Sequence, residues 1–319
     1  MTAGTLATEP LGDTGMDVTR VGFGAWALGG GDWEFGWGPQ DDEESVAAIH
    51  RAVELGVNWI DTAGGYGFGR SEETVGRALR ELPASTRPYV FTKAGILPGP
   101  GGKVIRSLEH ESVIREAHAS LERLDVDAID LYQIHWPIPD TEIEQGWRAF
   151  AELKDQGLVR HIGVSNFDVA QLLRVQQIAP VESLQPPYSL LHREIEGELL
   201  PFARERGIGV IVYSPMASGL LSGGMTRERI EAFPENDWRK RSPRFQEPQL
   251  SANLALVERL RTIGDRHGTT PGAVAIAWVL RNPAVDAAIV GFRRPDQVDP
   301  ILAAAALELT AADLDEIGS

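Results

Sequence analysis

The chain contains no cysteine. Disulfides, thiolate nucleophiles, iron–sulfur clusters and cysteine-type zinc sites therefore lie outside its chemistry. Basic residues are also in deficit: 30 against 46 acidic ones, and the net charge of −16 repels nucleic acid and anionic membrane over most of the surface. No apolar run is long enough to span a bilayer, and Met1–Pro10 lacks the basic start and apolar core of a secretory signal, so no membrane partner and a cytoplasmic location are expected. No Pro-, Gly- or Ser-rich linker breaks the 319 residues, which favours one domain over 1–319.

Several chemical signatures are missing as well. The glycines of Gly29-Gly30-Gly31 are not in the order of a dinucleotide-binding turn, and Gly99-Pro100-Gly101-Gly102-Lys103 lacks the spacing and hydroxyl of a P-loop. In Gly219-Leu220-Leu221-Ser222-Gly223 the serine is misplaced for a nucleophile elbow. The seven histidines show no metal-ligand spacing, so no metal site is expected.

What is present is alternation. After a hairpin over Glu9–Arg20, turning at Asp13-Thr14-Gly15, strands are expected at Val21–Trp26, Val57–Asp61, Tyr89–Lys93, Ala128–His135, Val159–Val164, Ser183–Gln185, Gly209–Tyr213 and Ala287–Val290. Between them fall helical patterns from Asp41 to Gly56, Ser71 to Leu82, Ser112 to Leu124, Thr141 to Gln156, Val169 to Gln177 and Glu194 to Glu205, with Ser71 reading as an N-cap. A long irregular segment, Ser214–Ser251, precedes helices at Ala252–His267 and Ala273–Leu280, and a last helix begins at Gln297. Eight strands in β-then-α order, with nothing marking an edge, predict an eight-stranded parallel (β/α) TIM barrel with an N-terminal β-hairpin.

In such a barrel ligands collect at the carboxyl ends of strands. Asp61, Lys93 and His135 each end a consecutive strand, and Tyr66 follows Asp61 in a glycine-loosened loop. A lysine at the end of Val90-Phe91-Thr92 is costly to bury unpaired, and Asp61 is its natural partner. A cationic Lys93 near Tyr66 would ease ionisation of the phenol, as suits a general acid near neutral pH. A turn at Asp61–Tyr66, a structural Lys93–Asp61 ion pair and a core histidine at 135 are the plain alternatives.

The set Asp61-Thr62-Ala63, Tyr66-Gly67, Phe91-Thr92-Lys93 and Gln133-Ile134-His135-Trp136-Pro137 resembles the active-site pattern of the aldo-keto reductases. The likeness continues through Gly163-Val164-Ser165-Asn166-Phe167, Gln185 with Tyr188-Ser189-Leu190-Leu191, Tyr213-Ser214-Pro215-Met216 and Gly219 to Gly223, and covers Leu11 to Ile317. It implies that Tyr66 donates a proton to a small-molecule carbonyl substrate, that Lys93 and Asp61 tune it, and that His135 orients the carbonyl. It implies a nicotinamide cofactor, with Tyr213 stacked on the ring, Ser165, Asn166 and Gln185 on its carboxamide, and Ser214, Pro215, Gly219 and Leu221 along it. Gly291, Arg293, Arg294 and Gln297 stand where the family clasps the adenosine phosphate. Two guanidiniums suit a 2′-phosphate, so NADP (NADPH) is the expected cofactor, with NAD possible.

Two departures matter. Ile301 replaces a frequent Asn near the adenine, and Gly64-Gly65 precede Tyr66 where bulkier residues are usual, which suggests a wider pocket or a looser loop. Trp26, Trp33 and Trp136 are expected in the substrate pocket, and aromatic walls point to apolar or aromatic carbonyls or a sugar stacked on a ring. A barrel glycosidase would need two free rim carboxylates, whereas Asp61 is engaged by Lys93. A cofactor-binding redox sensor with slow turnover is the alternative within the family. The sequence assigns no substrate and no oligomeric state.

Overall fold

The computed structural model describes residues 6–235 and 237–318. A short antiparallel pair, β1 (Thr8–Pro10) and β2 (Asp17–Thr19), opens the chain. Between and within these strands Leu11, Met16 and Val18 are buried against Trp59, Phe91, Leu131, Ile211 and Ala287, so the hairpin plugs one end of the barrel interior. Burying that apolar surface keeps water out of the end opposite the strand C-termini.

The barrel begins with β3 (Val21–Gly24), β4 (Trp59–Asp61) and β5 (Tyr89–Ala94). A small antiparallel pair, β6 (Ile96–Pro98) and β7 (Val104–Arg106), then leaves the barrel. It continues through β8 (Ile129–Ile134), β9 (Val159–Ser165), β10 (Ser183–Gln185), β11 (Gly209–Val212) and β12 (Ala287–Gly291). The eight strands form one closed parallel sheet, sealed where β12 pairs with β3, Gly291 facing Gly24. The expected barrel and hairpin are therefore present.

Helices follow the strands as their patterns require. Helix α1 (Asp42–Glu54) starts where the Asp41 side chain accepts the Glu44 backbone N–H at 2.9 Å, and buries Val46, Ile49 and Ala52. Helix α2 (Arg70–Glu81) begins one residue earlier than expected. Ser71 is not its N-cap: Gly69 holds that position, and the buried Ser71 hydroxyl bonds the Ala25 carbonyl and Thr62 Oγ1. Helices α3 (His110–Leu124), α4 (Ile143–Asp155), α5 (Val169–Val175) and α6 (Leu199–Glu205) complete the middle of the ring.

Besides the β6–β7 hairpin, which no expected strand covers, two regions depart from the sequence pattern. The segment expected to be irregular contains α7 (Arg227–Glu231) and short 3-10 turns before α8 (Gln249–His267) and α9 (Pro271–Leu280). The closing helix is broken into α10 (Asp299–Leu302), a 3-10 turn over 303–306 and α11 (Ala311–Ile317), because the chain turns extended at Leu307 and restarts where the Thr310 side chain caps α11.

Helix α3 also carries a buried carboxylate that anchors the root of the β6–β7 hairpin. Glu116 accepts the Gly95 backbone N–H at 2.9 Å, and burial pushes its carboxyl from the ordinary 4.5 up to about 7 against the pull of Gly95 and Ser112. Between these two values the folded chain binds more protons than the unfolded one, so stability falls as pH rises from about 4.5 to about 7. The expected loss is on the order of 3 kcal/mol over that window. Glu116→Gln keeps an acceptor for Gly95 and removes the titration, so urea unfolding across pH should give a flatter profile and a more stable protein above pH 7. Equal slopes in both proteins would contradict this.

Candidate active site

Strand register brings the predicted residues together. Asp61 lies opposite Phe91 in the β4–β5 pair, so Lys93, two residues further on and on the same inward face, projects above it at the rim. Lys93 Nζ meets Asp61 Oδ1 at 2.5 Å and donates to the Thr62 carbonyl at 2.9 Å. Both side chains are almost wholly buried. Asp61 Oδ2 in turn accepts from Gln185 Nε2 at 2.8 Å, and Gln185 also reaches Gln133 Oε1 at 3.2 Å. The ion pair is thereby tied across the barrel mouth to β10.

Tyr66 Oη sits 3.5 Å from Lys93 Nζ, and its ring meets His135 edge-on with centroids 5.4 Å apart. The electrostatics differ from the sequence-based expectation. Burial, reinforced by the negative charge of Asp61, pushes the Tyr66 phenol well above its ordinary value and outweighs the pull of Lys93. The physical reason is distance and commitment: the ammonium is spent on Asp61 and the Thr62 carbonyl, and burial pulls Lys93 itself below its usual value. Tyr66 is held protonated. His135 is driven well below the ordinary imidazole range by burial and by the charges of Lys93 and Arg106, and is neutral at pH 7. The site thus pairs a protonated phenol with a neutral imidazole, two groups able to donate hydrogen bonds to one developing oxyanion.

Gly64 and Gly65 neither widen the pocket nor loosen the loop. A Cβ on Gly65 would lie 2.7 Å from Ile96 Cγ2, and one on Gly64 would lie 3.3 Å from Arg123 Nη2. Small residues here let the Tyr66 loop press onto the β6–β7 hairpin and onto the Glu72–Arg123 ion pair, closed at 2.6 Å with the Glu72 side chain fully buried.

Beside this group Ser165 ends β9, Gln185 ends β10, and Tyr213 follows β11. Tyr213 Oη donates to Asn166 Oδ1 at 2.7 Å, Asn166 Nδ2 donates to the His135 carbonyl at 2.9 Å, and Ser165 Oγ donates to the Gln185 carbonyl at 2.8 Å. Asn166 and Ser214 have φ of 65° and 57°, left-handed conformations stored directly after two barrel strands. The network fixes a polar ledge next to the Tyr213 ring.

A cavity of about 660 Å³ runs from this ledge along the rim. Trp26, Trp33, Trp136, Tyr66 and His135 line one end, while Ser214, Pro215, Gly219, Gly291, Arg293 and Gln297 line the other. Three expected residues do not line it: Lys93 is buried behind Asp61 and Tyr66, and two cofactor residues also stay away. Leu221 is buried in the apolar core, because its turn faces α8 and α9 and not the barrel mouth. Arg294 is exposed and paired with Asp296 at 3.1 Å, since it alternates with Arg293 on the extended approach to the next turn. In its place Arg229 and Arg239 join Arg293 on the wall. Arg293 bonds Gln40 Oε1 at 2.6 Å and the carbonyls of Trp37 and Pro39, and among the described residues no carboxylate pairs with it.

The sequence pattern also leaves out Trp238. Its ring stacks on Trp26 with centroids 5.9 Å apart, Trp37 meets both edge-on, and the Arg239 guanidinium lies 4.6 Å over Trp37. The loop after β3 and the irregular segment after β11 thereby interlock over the cavity. No local spacing signals a contact between residues some two hundred positions apart.

A closed barrel that gathers a protonated phenol, a neutral imidazole and a buried ion pair beside an elongated, arginine-lined cleft is the architecture of a barrel enzyme equipped for proton transfer. The chain belongs to the Aldo/keto reductase family, whose model matches residues 20–319. It is 36% identical over 310 residues to aldo-keto reductase YhdN of Bacillus subtilis (strain 168), covering 97% of this chain and 92% of that one. It is 35% identical to the NADH-specific methylglyoxal reductase of Escherichia coli (strain K12), covering 95% of each. Among solved structures it is similar to the glycerol dehydrogenase AKR11B4 from Gluconobacter oxydans, with TM-score 0.86, 37% identity, and coverage of 100% of this chain and 95% of that one. It is also similar to the holo form of AKR11C1 from Bacillus halodurans, with TM-score 0.80, 27% identity, and coverage of 98% and 95%.

Proposed function

We propose that this protein reduces an aldehyde or ketone to the alcohol, with NADPH as the preferred cofactor and Tyr66 as the proton donor. The observation that carries this reading is the pairing of protonated Tyr66 with neutral His135 on one cavity wall, both backed by Lys93–Asp61.

The residues fit the cofactor. Tyr213 offers a flat ring beside the reacting end, and the amides of Asn166 and Gln185 with the Ser165 hydroxyl match the donor and acceptor pattern of a carboxamide. Bound there, the reduced nicotinamide supplies a hydride to the carbonyl carbon. Tyr66 then gives its phenolic proton to the carbonyl oxygen, and His135 donates to the same oxygen and fixes its direction. Lys93, held by Asp61, stabilises the phenolate left on Tyr66 after transfer and so offsets part of what burial costs the ionised phenol.

The charge of the cavity wall supports a preference for NADPH. Among the described residues, the cavity wall carries four arginines and a single carboxylate, Asp61, already neutralised by Lys93. Arg293, without a carboxylate partner, is available to a 2′-phosphate, and no acidic side chain on the wall opposes one. Charge-assisted hydrogen bonds contribute roughly 1.5–3 kcal/mol each. Arg293→Ala should therefore raise the NADPH dissociation constant about tenfold or more, with a smaller effect at high salt, while NADH binding barely changes. Quenching of protein fluorescence on titration, together with cofactor consumption on a panel of aldehydes, tests both parts. Equal weakening of the two cofactors would make Arg293 a brace for the Trp37–Gln40 loop, and tight cofactor binding without aldehyde-dependent consumption would overturn the reductase reading.

A further inference from the structure

Arg106 stands apart from every other arginine on the cavity wall. It ends β7 and lies directly opposite Ile96 of β6, so the two side chains project from the same face of the hairpin. Both line the cavity, and Arg106 is close enough to His135 for its charge to help hold that imidazole neutral. The intervening residue in the alternation, Ile105, points outward and is 48% exposed. Arg293, Arg239 and Arg229 are each anchored, to Gln40, to Asp237 and to the Gly224 carbonyl. The Arg106 side chain, in contrast, makes no hydrogen bond, ion pair or ring contact among the described residues, and its Nε is buried without a partner.

Arg106 is half-buried, and of its guanidinium nitrogens Nε is the one sealed from solvent, so its desolvation is uncompensated within the chain. Buried polar groups are normally satisfied, and an exception calls for a ligand or a functional reason. Its strand partner Ile96 supplies no acceptor, Trp33 and Trp136 on the same cavity wall are apolar or donor-only, and the Trp33 indole nitrogen is likewise buried without a partner. Asp61, the one carboxylate on the wall, is held by Lys93 and Gln185. In a chain of net charge −16, an uncompensated cation facing the reacting carbonyl's site is the opposite of what composition would place there by default.

We infer that Arg106 is a substrate-binding residue that selects carbonyl compounds carrying a carboxylate, such as oxo acids and aldehyde acids. This rests on the carbonyl-reductase reading of the same site. A planar carboxylate matches the guanidinium fork, filling the donors that the protein leaves open, while the aromatic wall holds the carbon skeleton and Tyr66 with His135 take the carbonyl oxygen. Lysine at this position would keep the charge and lose the bidentate geometry.

The test compares charged and uncharged partners of matched length. Glyoxylate against glycolaldehyde, succinic semialdehyde against butanal, and 4-carboxybenzaldehyde against benzaldehyde are assayed with NADPH on the wild type, Arg106→Met and Arg106→Lys. The wild type should favour the carboxylate in at least one pair by roughly tenfold or more in kcat/KM, Arg106→Met should abolish that ratio, and Arg106→Lys should restore part of it. Binding of the corresponding alcohols, read by tryptophan fluorescence without turnover, should show the same ratios. No preference in any pair, in rate or binding, overturns the proposal, as does a preference that survives in Arg106→Met. Charge-selective binding with no turnover of any aldehyde would uphold the anion site and sink the reductase reading, so the two failures are distinguishable.

Discussion

Tyr66→Phe is expected to lower kcat for carbonyl reduction by about two to four orders of magnitude, the range that general acid catalysis supplies. The change deletes one oxygen. The ring still packs against Trp33 at 6.2 Å and His135 at 5.4 Å, so the loop and the cavity keep their shape. What disappears is, among the described residues, the one hydroxyl within 3.5 Å of Lys93 Nζ, beside His135. Stopped-flow and steady-state rates with a good aldehyde, alongside cofactor titration, separate chemistry from binding: cofactor affinity should stay within about twofold, an effect of less than about 0.5 kcal/mol. A variant that turned over at the wild-type rate would remove Tyr66 from the mechanism. His135 is neutral and buried, and it offers a hydrogen bond and no easily released proton, so it is not expected to substitute for the phenol.

Lys93→Met should be more damaging to the protein as a whole, because it strikes activity and stability together. Removing the ammonium leaves Asp61 buried with Gln185 as its remaining hydrogen-bond partner, and stranding one member of a buried ion pair costs about 3–5 kcal/mol. Urea unfolding should show that loss. Turnover should also collapse, since the phenolate formed at Tyr66 would lose its neighbouring cation. The double variant Asp61→Asn with Lys93→Met removes both charges, and is expected to recover much of the stability while remaining catalytically poor. If the double variant recovered activity along with stability, Lys93 and Asp61 would be a structural pair alone. If Lys93→Met kept both stability and rate, the electrostatic picture of the site would be wrong.

The two variants also separate the ways in which the barrel rim works. In the proposed reaction Tyr66 acts on the substrate oxygen, whereas Lys93 and Asp61 act through Tyr66 and through the Gln185 link to the polar ledge. That link couples the reacting end to the place where a carboxamide would sit. Strand-end residues are well suited to this because neighbouring strands hold them in fixed register at hydrogen-bonding distance.

Much of this protein is legible in its residues alone. The β-then-α alternation gives the closed barrel because period-2 and period-3.6 apolar patterns are local properties of the chain. Asp61, Lys93 and His135 are legible as rim residues for the same reason: each stands at the end of an apolar run, and a charge there must be either paired or exposed. Composition alone rules out thiol chemistry. The tertiary structure decides what depends on surroundings. Whether Tyr66 is easily ionised or held protonated turns on burial and on how fully Lys93 is spent on Asp61, and neither quantity is encoded in spacing. Which arginines face the cavity is decided by side-chain direction: Arg294 is turned outward to Asp296, while Arg239 and Trp238 arrive from a segment with no periodic signal. Gly64 and Gly65 read as looseness in one dimension and as close packing in three, because the atoms they make room for belong to Ile96 and Arg123. The unpartnered Arg106 becomes visible only when β6 and β7 pair, since the absence of a partner is a property of the whole neighbourhood and not of any stretch of chain.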